Sequence, residues 1–202
     1  MNQSWNERYA TDTYIYGTLP NVWFKDNLSV MPPGNLLLPA EGEGRNAVFA
    51  ASKGWNVTAS DYSEVAKNKA MLLAEQNQVQ INYILGNFSD VLLSTERYDC
   101  IAFIYAHVPY PERVSVTSHL VAHLKPGGTI IFEGFSKSQV AYQKEQNSGG
   151  PKDVNLLFSK QELEQTFKEL TITYLEEVEV DLAEGDFHRG KASVIRMLAF
   201  KY

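Results

Sequence analysis

Apolar runs recur along the chain at 35–38, 56–60, 81–85, 98–104 and 128–133, each built from aliphatic or aromatic residues with little polar alternation. Strands buried on both faces read this way, whereas a strand with one wet face alternates. Between the runs the spacing shifts to the helical period. Ala66, Ala70, Leu73 and Ala74 share one helix face behind Ser63 as N-cap, with Glu64 in the first turn. The pattern predicts a second helix over 111–124: Pro111 suits its first turn, and Lys125-Pro126-Gly127-Gly128 turns the chain into the next strand. It predicts another over 159–170, where Ser159 and Glu162 form a capping box and Leu163, Phe167 and Leu170 face the core. Strands alternating with helices imply an α/β protein with a doubly wound, mostly parallel sheet.

The last part of the chain departs from that rhythm. Runs at 171–180 and 192–200 are joined by a loop alone. A parallel pair needs a crossover of a dozen or more residues, usually a helix, so these two form an antiparallel hairpin. Segment 136–158, polar and containing Gly149-Gly150-Pro151, reads as a long flexible loop beside the sheet's ligand edge. No internal repeat or linker interrupts the chain, which implies a single domain over 1–202: a sheet-and-helix core over 35–202 and an N-terminal segment, 1–30.

Composition narrows the class. The 202 residues are 44% hydrophobic and 21% charged, ordinary for a globular domain. The net charge is −6 and the basic residues are scattered, so nucleic acid is excluded as the expected partner. Neither a leader pattern at 1–7 nor an apolar stretch of membrane-spanning length is found, and a cytoplasmic protein without a membrane partner is expected. Cys100, the only cysteine, excludes an internal disulfide and a Cys-based metal site, and it sits in a strand where a thiol acts as inert filling.

The first strand runs into Glu41-Gly42-Glu43-Gly44-Arg45-Asn46. In a doubly wound sheet the turn after strand one needs glycines so that its backbone can approach a ligand at the carboxyl ends of the strands. Asp61, at the end of strand two, can accept hydrogen bonds from ribose hydroxyls. Each feature also has a structural reading: the turn can simply change direction, and Asp61 can cap a helix. Charge separates the ligands. Glu41 and Glu43 would repel a pyrophosphate, whereas S-adenosylmethionine brings a sulfonium and an ammonium, both cationic.

Gly42-Glu43-Gly44-Arg45-Asn46-Ala47, Asp61-Tyr62-Ser63 and Leu124-Lys125-Pro126-Gly127-Gly128-Thr129 resemble the successive motifs of class I S-adenosylmethionine-dependent methyltransferases. Trp5-Asn6-Glu7-Arg8-Tyr9, Tyr14-Ile15-Tyr16-Gly17 and Glu184-Gly185-Asp186-Phe187-His188-Arg189-Gly190 are similar to the small-molecule branch that includes tellurite-resistance and thiopurine methyltransferases. The resemblance covers essentially the whole chain. It implies a Rossmann-like seven-stranded sheet with an antiparallel last strand, and S-adenosylmethionine as cofactor with S-adenosylhomocysteine as product. It further implies that Gly42 and Gly44 line the cofactor, Asp61 binds the ribose, Tyr62 stacks near the adenine, and Asn87 and Phe88 contact its edge and face; Tyr105 is placed in the same site. Phe88 equally reads as core. The chain departs from the family at Leu38 and Ala40, where an acid and a glycine are usual. Glu41 is the nearest replacement for that acid and is expected to hold the methionine ammonium from a solvated turn, with Glu43 pointing away.

Methyl transfer is an in-line displacement at an activated carbon, so alignment and exclusion of water matter more than any obligatory catalytic group. His107, after strand four, is the candidate base, and a histidine that caps a turn is the alternative. Trp5, Tyr9, Tyr14 and Tyr16 either form a lid over the substrate or pack on the sheet, while Trp23 and Phe24 are assigned to the core. Tyr110, with His188 and Arg189 in the hairpin loop, completes the candidate substrate set, and a small thiol or other soft nucleophile is the expected acceptor. Gly185-Asp186-Phe187-His188-Arg189-Gly190-Lys191-Ala192 is no phosphate loop, because Ala192 lacks the hydroxyl and a strand follows. His119 and His123 have no evident third ligand, and no metal is expected. Two rivals stand: a non-catalytic S-adenosylmethionine-binding module, and a nicotinamide oxidoreductase using the same glycine turn.

Overall fold

The computed structural model describes residues 2–86, 98–110, 112–146 and 148–202. Among them, the apolar runs become strands β1 (Asn35–Pro39), β2 (Asn56–Asp61), β3 (Asn82–Leu85), β4 (Tyr98–Ile104) and β5 (Leu124–Phe135). The C-terminal pair becomes β6 (Thr171–Glu184) and β7 (His188–Phe200). Seven helices accompany them: α1 (Asn2–Tyr9), α2 (Val22–Leu28), α3 (Arg45–Ser52), α4 (Glu64–Gln76), α5 (Glu112–Val121), α6 (Gln139–Gln146) and α7 (Lys160–Thr166). The sheet order is β3-β2-β1-β4-β5-β7-β6, with β1 to β5 parallel and β7 antiparallel to both of its neighbours. The chain winds outward from β1 to β3 and returns at β4, so a crevice opens at the carboxyl ends of β1 and β4.

Alternation along each buried strand divides the core in two, because successive side chains point to opposite faces. Leu36, Leu38, Cys100, Ala102 and Ile104 pack with Phe24, Leu28 and Ala47 beneath α2, α3 and α4. Leu37, Ile101, Phe103, Ile130 and Phe132 pack with Leu120, Leu163 and Phe167 beneath α5 and α7. Burial pushes the Cys100 thiol pKa well up, in keeping with its role as filling. None of the described helices is long and apolar enough to cross a membrane.

Several boundaries move from the expected ones. The hairpin is longer than its apolar pattern, leaving only 185–187 as a turn, so His188 opens β7 instead of lying in a loop. Helix α5 stops at Val121, and 124–128, expected to end a helix, joins β5 through an irregular register against β4. Pro111 lies outside the described residues. The segment taken as a loop, 136–158, contains α6 and a single 3₁₀ turn, Val154–Leu156. Its helix is polar and hidden from periodicity because hydrogen bonds, not an apolar stripe, hold it. Buried Gln139 accepts from the Ser193 amide and donates to the Ser148 hydroxyl, and Gln143 donates to the carbonyls of Gly149, Gly150 and Pro151.

The turn after β1 is shaped by three left-handed residues, Ala40 (φ 52°), Gly42 (φ 61°) and Gly44 (φ 86°). Glu41, between them, caps α3: Oε1 accepts from the amides of Asn46 and Ala47 at 2.8 Å each, and Oε2 accepts from Asn46 Nδ2 at 3.2 Å. It is partly buried, and burial pushes its pKa up to about 7 against the lowering effect of those donors. Glu43 is no solvated residue either. It is buried, accepts from the Ile15 amide at 2.8 Å and pairs with Lys69.

The two ends of the turn predict opposite responses to substitution. A Cβ on Gly44 would stand 2.6 Å from the Ala70 side chain on top of a left-handed backbone, so Gly44→Ala is expected to lower unfolding free energy by about 3 kcal/mol. Ala40→Gly removes the left-handed penalty and is expected to gain up to about 1 kcal/mol, both read from urea unfolding. For Glu41 the sign follows from a folded pKa above the unfolded one: its contribution is fully present below about pH 4.5 and lost as pH rises through 7. Stability from this group should fall by about 2 kcal/mol between pH 5 and 8, and Glu41→Gln, neutral throughout, should remove that fall. Identical pH dependence in the two proteins would contradict it.

Candidate functional site

At the carboxyl ends of β1 to β3, Ala40, Ser60, Asp61, Tyr62 and Gly86 line a small open cleft. Asp61 ends β2 and is fixed there by two amides, Oδ2 accepting from Gly42 at 3.1 Å and Oδ1 from Ser63 at 2.9 Å. Burial raises its pKa, and the amide donors work against that rise. Tyr62 is half-buried beside it, its hydroxyl pKa pushed up to about 12 by burial and then by the charge of Asp61. The sequence placed Asn87 and Phe88 at this cleft; both lie outside the described residues.

The N-terminal segment closes over the glycine turn. Tyr9, buried and stacked on Trp5 at 5.4 Å, sets its hydroxyl 2.8 Å from where a Gly42 Cβ would be, so only glycine admits it. Asn6 accepts from the Ser63 hydroxyl at 2.6 Å, which docks α1 on the start of α4. Lys69, on α4, donates to the carbonyls of Tyr9, Thr11 and Thr13 while paired with Glu43. Tyr14 packs against the core and gives its hydroxyl to the Lys69 carbonyl on α4.

Next to the cleft, at the ends of β4, β5 and β6, lies a buried polar group that pattern reading missed. Glu133 Oε1 accepts from Asn21 Nδ2 at 2.6 Å and from the Tyr105 hydroxyl at 2.9 Å, and Oε2 accepts from Arg196 at 2.6 Å. Glu184 Oε1 accepts from the same Asn21 amide at 3.0 Å, and Oε2 meets Arg45 at 2.9 Å and His188 Nδ1 at 3.2 Å. Burial alone would raise the Glu184 pKa, but the hydrogen bonds and charge supplied by His188 and Arg45 hold it down at about 2. Asn21, Arg45, Glu133, Glu184 and Arg196 are therefore structural parts of the site. The one sequence signal was Glu133, a carboxylate ending a strand that is otherwise apolar on both faces.

An aromatic enclosure stands on that group. The His188 ring lies 4.4 Å from Tyr16, 4.6 Å from Tyr105 and 5.1 Å from Phe135, while His107 stacks on Phe135 at 5.8 Å and lies tilted against Phe158 at 5.4 Å. Enclosure lowers the pKa of both imidazoles, that of His107 to about 4, while the Glu184 carboxylate works against the lowering at His188. His107 Nδ1 is 2.8 Å from the Leu156 carbonyl, which assigns it the proton and leaves Nε2 a lone pair that is buried and unpartnered.

The structure thus gathers Tyr16, Tyr105, His107 and His188 at one place, and Glu41, Gly42, Asp61, Tyr62, Trp5 and Tyr9 at another beside it. Other described candidates stay outside both places. Arg189 is exposed and spent on Asp186 and the Gly185 carbonyl, because the longer strand carries it past the turn to the outer face. Tyr110 is exposed on the loop before α5, beside Arg113. Phe24 is core, as expected, and Trp23 is partly buried against Tyr174 and Arg196.

Residues 39–128 match the family model described as a methyltransferase domain. The ubiquinone biosynthesis O-methyltransferase of Coxiella burnetii (strain RSA 493 / Nine Mile phase I) is 32% identical over 103 residues, 50% of this chain and 43% of that protein. The enzyme of the same name from Rickettsia akari (strain Hartford) is also 32% identical over 103 residues, 50% of this chain and 40% of that protein. The chain thus matches less than half the length of these curated relatives. TehB from Haemophilus influenzae superposes with a TM-score of 0.73 at 19% identity, over 100% of this chain and 67% of that one. A protein solved in work on the conversion of a disulfide bond into a thioacetal group during echinomycin biosynthesis gives 0.80 at 17% identity, over 100% and 91%. Magnesium protoporphyrin IX methyltransferase from Synechocystis PCC 6803, solved with bound S-adenosylhomocysteine, gives 0.66 at 15% identity, over 100% and 83%. At such identities the superpositions establish the fold, and the domain match runs from the end of β1 into β5. The chain thus shares its seven-stranded fold with these methyltransferases, and its residues 39–128 match a methyltransferase domain.

Proposed function

We propose that the protein transfers a methyl group from S-adenosylmethionine to a small-molecule thiol or other soft nucleophile held among Tyr16, Tyr105, Phe135, His107 and His188. The observation that carries this reading is the aromatic enclosure itself, next to the crevice at the switch point and roofed by the N-terminal segment. Ring faces are polarisable and exclude water, which suits a small, weakly hydrated nucleophile.

The cleft suits this cofactor. Its polar groups are the Asp61 carboxylate and the hydroxyls of Ser60 and Tyr62, and Glu41 Oε2 beyond them keeps a spare lone pair. Asp61 would hold the ribose hydroxyls, Tyr62 would lie along the adenine, and Glu41 with the Tyr9 hydroxyl would face the methionine ammonium. By resemblance Asn87 and Phe88 complete the adenine site. When bound, the cofactor supplies an electrophilic methyl group on a sulfonium. Residues 1–30 act as the cover, with Tyr9 and Tyr16 reaching inward and Lys69 fixing the backbone between them. A second reading, an oxygen acceptor, is favoured by the relatives named as O-methyltransferases.

A panel of alkyl thiols, aryl thiols, phenols and amines, followed by S-adenosylhomocysteine release, separates these readings. Thiols are expected to turn over fastest. Phenols leading the panel would select the oxygen reading, and binding of S-adenosylmethionine without turnover of any acceptor would leave a binding module instead. Asp61→Ala is expected to weaken S-adenosylhomocysteine binding by about 1.5–3 kcal/mol in calorimetry, the loss typical of hydrogen bonds to a charged group. Unchanged affinity in a folded variant would move the ribose elsewhere.

A further inference from the structure

We propose that His188, oriented by Glu184, is the group that takes the proton from the methyl acceptor, and that the acceptor is therefore a thiol or hydroxyl that arrives protonated. The inference rests on the function proposed above and deepens it. His188 is 5% exposed, its Nδ1 lies 3.2 Å from Glu184 Oε2, and its ring is walled by Tyr16, Tyr105 and Phe135. A carboxylate at Nδ1 fixes the tautomer: Nδ1 carries the hydrogen and Nε2 is the basic nitrogen. Glu184 is held in turn by Arg45 and by Asn21, so the pair is anchored from α3 and from the segment before α2.

The comparison with His107, the base expected from sequence, decides between two imidazoles. His107 donates to a neutral carbonyl, and the groups whose charge acts on it, His188 and Arg113, both disfavour an imidazolium there. His188 has one. The groups facing His188 are Glu184 from β6, Glu133 from β5, Arg45 from α3, Tyr16 from the N-terminal segment, and Tyr105 with His107 from the end of β4. Only there does a transient imidazolium find an ion partner already in place. In the step, Nε2 takes the proton of the S–H or O–H bond, and the pair left on sulfur or oxygen forms the new bond to the methyl carbon. The electrons of the broken carbon–sulfur bond stay with the departing thioether, and His188 later returns its proton to water.

Two measurements test this. In the protein without cofactor, nitrogen-15 spectra of labelled histidines should show His188 as the neutral Nδ1–H tautomer, and Glu184→Gln should disturb that signal while leaving His107 in place. A His188 signal in the Nε2–H form would overturn the proposal whatever the activity. With cofactor at pH 7, His188→Gln should slow alkyl thiols and phenols by about 100-fold, since their ordinary pKa values of about 8.5 and 10 leave them protonated. An aryl thiol already ionised at pH 7 should lose less than about 5-fold. Equal losses across acceptors would assign His188 a packing role. A wild-type protein that methylates nothing in the panel would instead defeat the proposed function, leaving the tautomer result to stand or fall by itself.

Discussion

Five carboxylates, Glu41, Glu43, Asp61, Glu133 and Glu184, stand withdrawn from water at the carboxyl edge of the sheet, and each must be met by donors brought from elsewhere. An isolated buried charge costs several kcal/mol, so the requirement organises the chain around that edge. Glu41 fixes the start of α3. Glu43 draws in the N-terminal segment through Ile15 and Lys69. Glu133 and Glu184 share one amide of Asn21, which locks the approach to α2 against two strands far along the sequence.

The same edge divides into two chemically different halves. On the β1–β3 side the cleft is lined by Ala40 and Gly86 together with three residues that carry side-chain oxygens, Ser60, Asp61 and Tyr62. On the β4–β7 side the charges are already neutralised by Arg45 and Arg196, and what faces inward is aromatic. Tyr105 joins the halves: it follows β4 with a left-handed backbone (φ 52°), its amide donates to the Glu133 carbonyl, and its hydroxyl donates to the Glu133 side chain. A strained residue so firmly bonded is one the neighbouring strand holds in place, and it directs the ring toward His188.

The apolar runs marked where the parallel strands lie, since strands buried on both faces read as continuous apolar segments, while their order in the sheet came from the tertiary structure. Local chemistry determined α4 and α7 through Ser63 and the Ser159–Glu162 capping box, both of which form as expected. The tight turn at 41–44 was likewise legible from its glycines, both of which take left-handed backbone. Tertiary structure decided the rest. Whether Glu41 and Glu43 face water depends on α3, Ile15 and Lys69, partners that neither periodicity nor spacing can reveal. Helix α6 is held by the hydrogen bonds of Gln139 with the Ser193 amide and the Ser148 hydroxyl, not by an apolar stripe, so its sequence reads as loop. Arg189 and His188 are adjacent in sequence and opposite in fate, because a strand sends neighbours to opposite faces and only the register of β7 chooses which one goes inward.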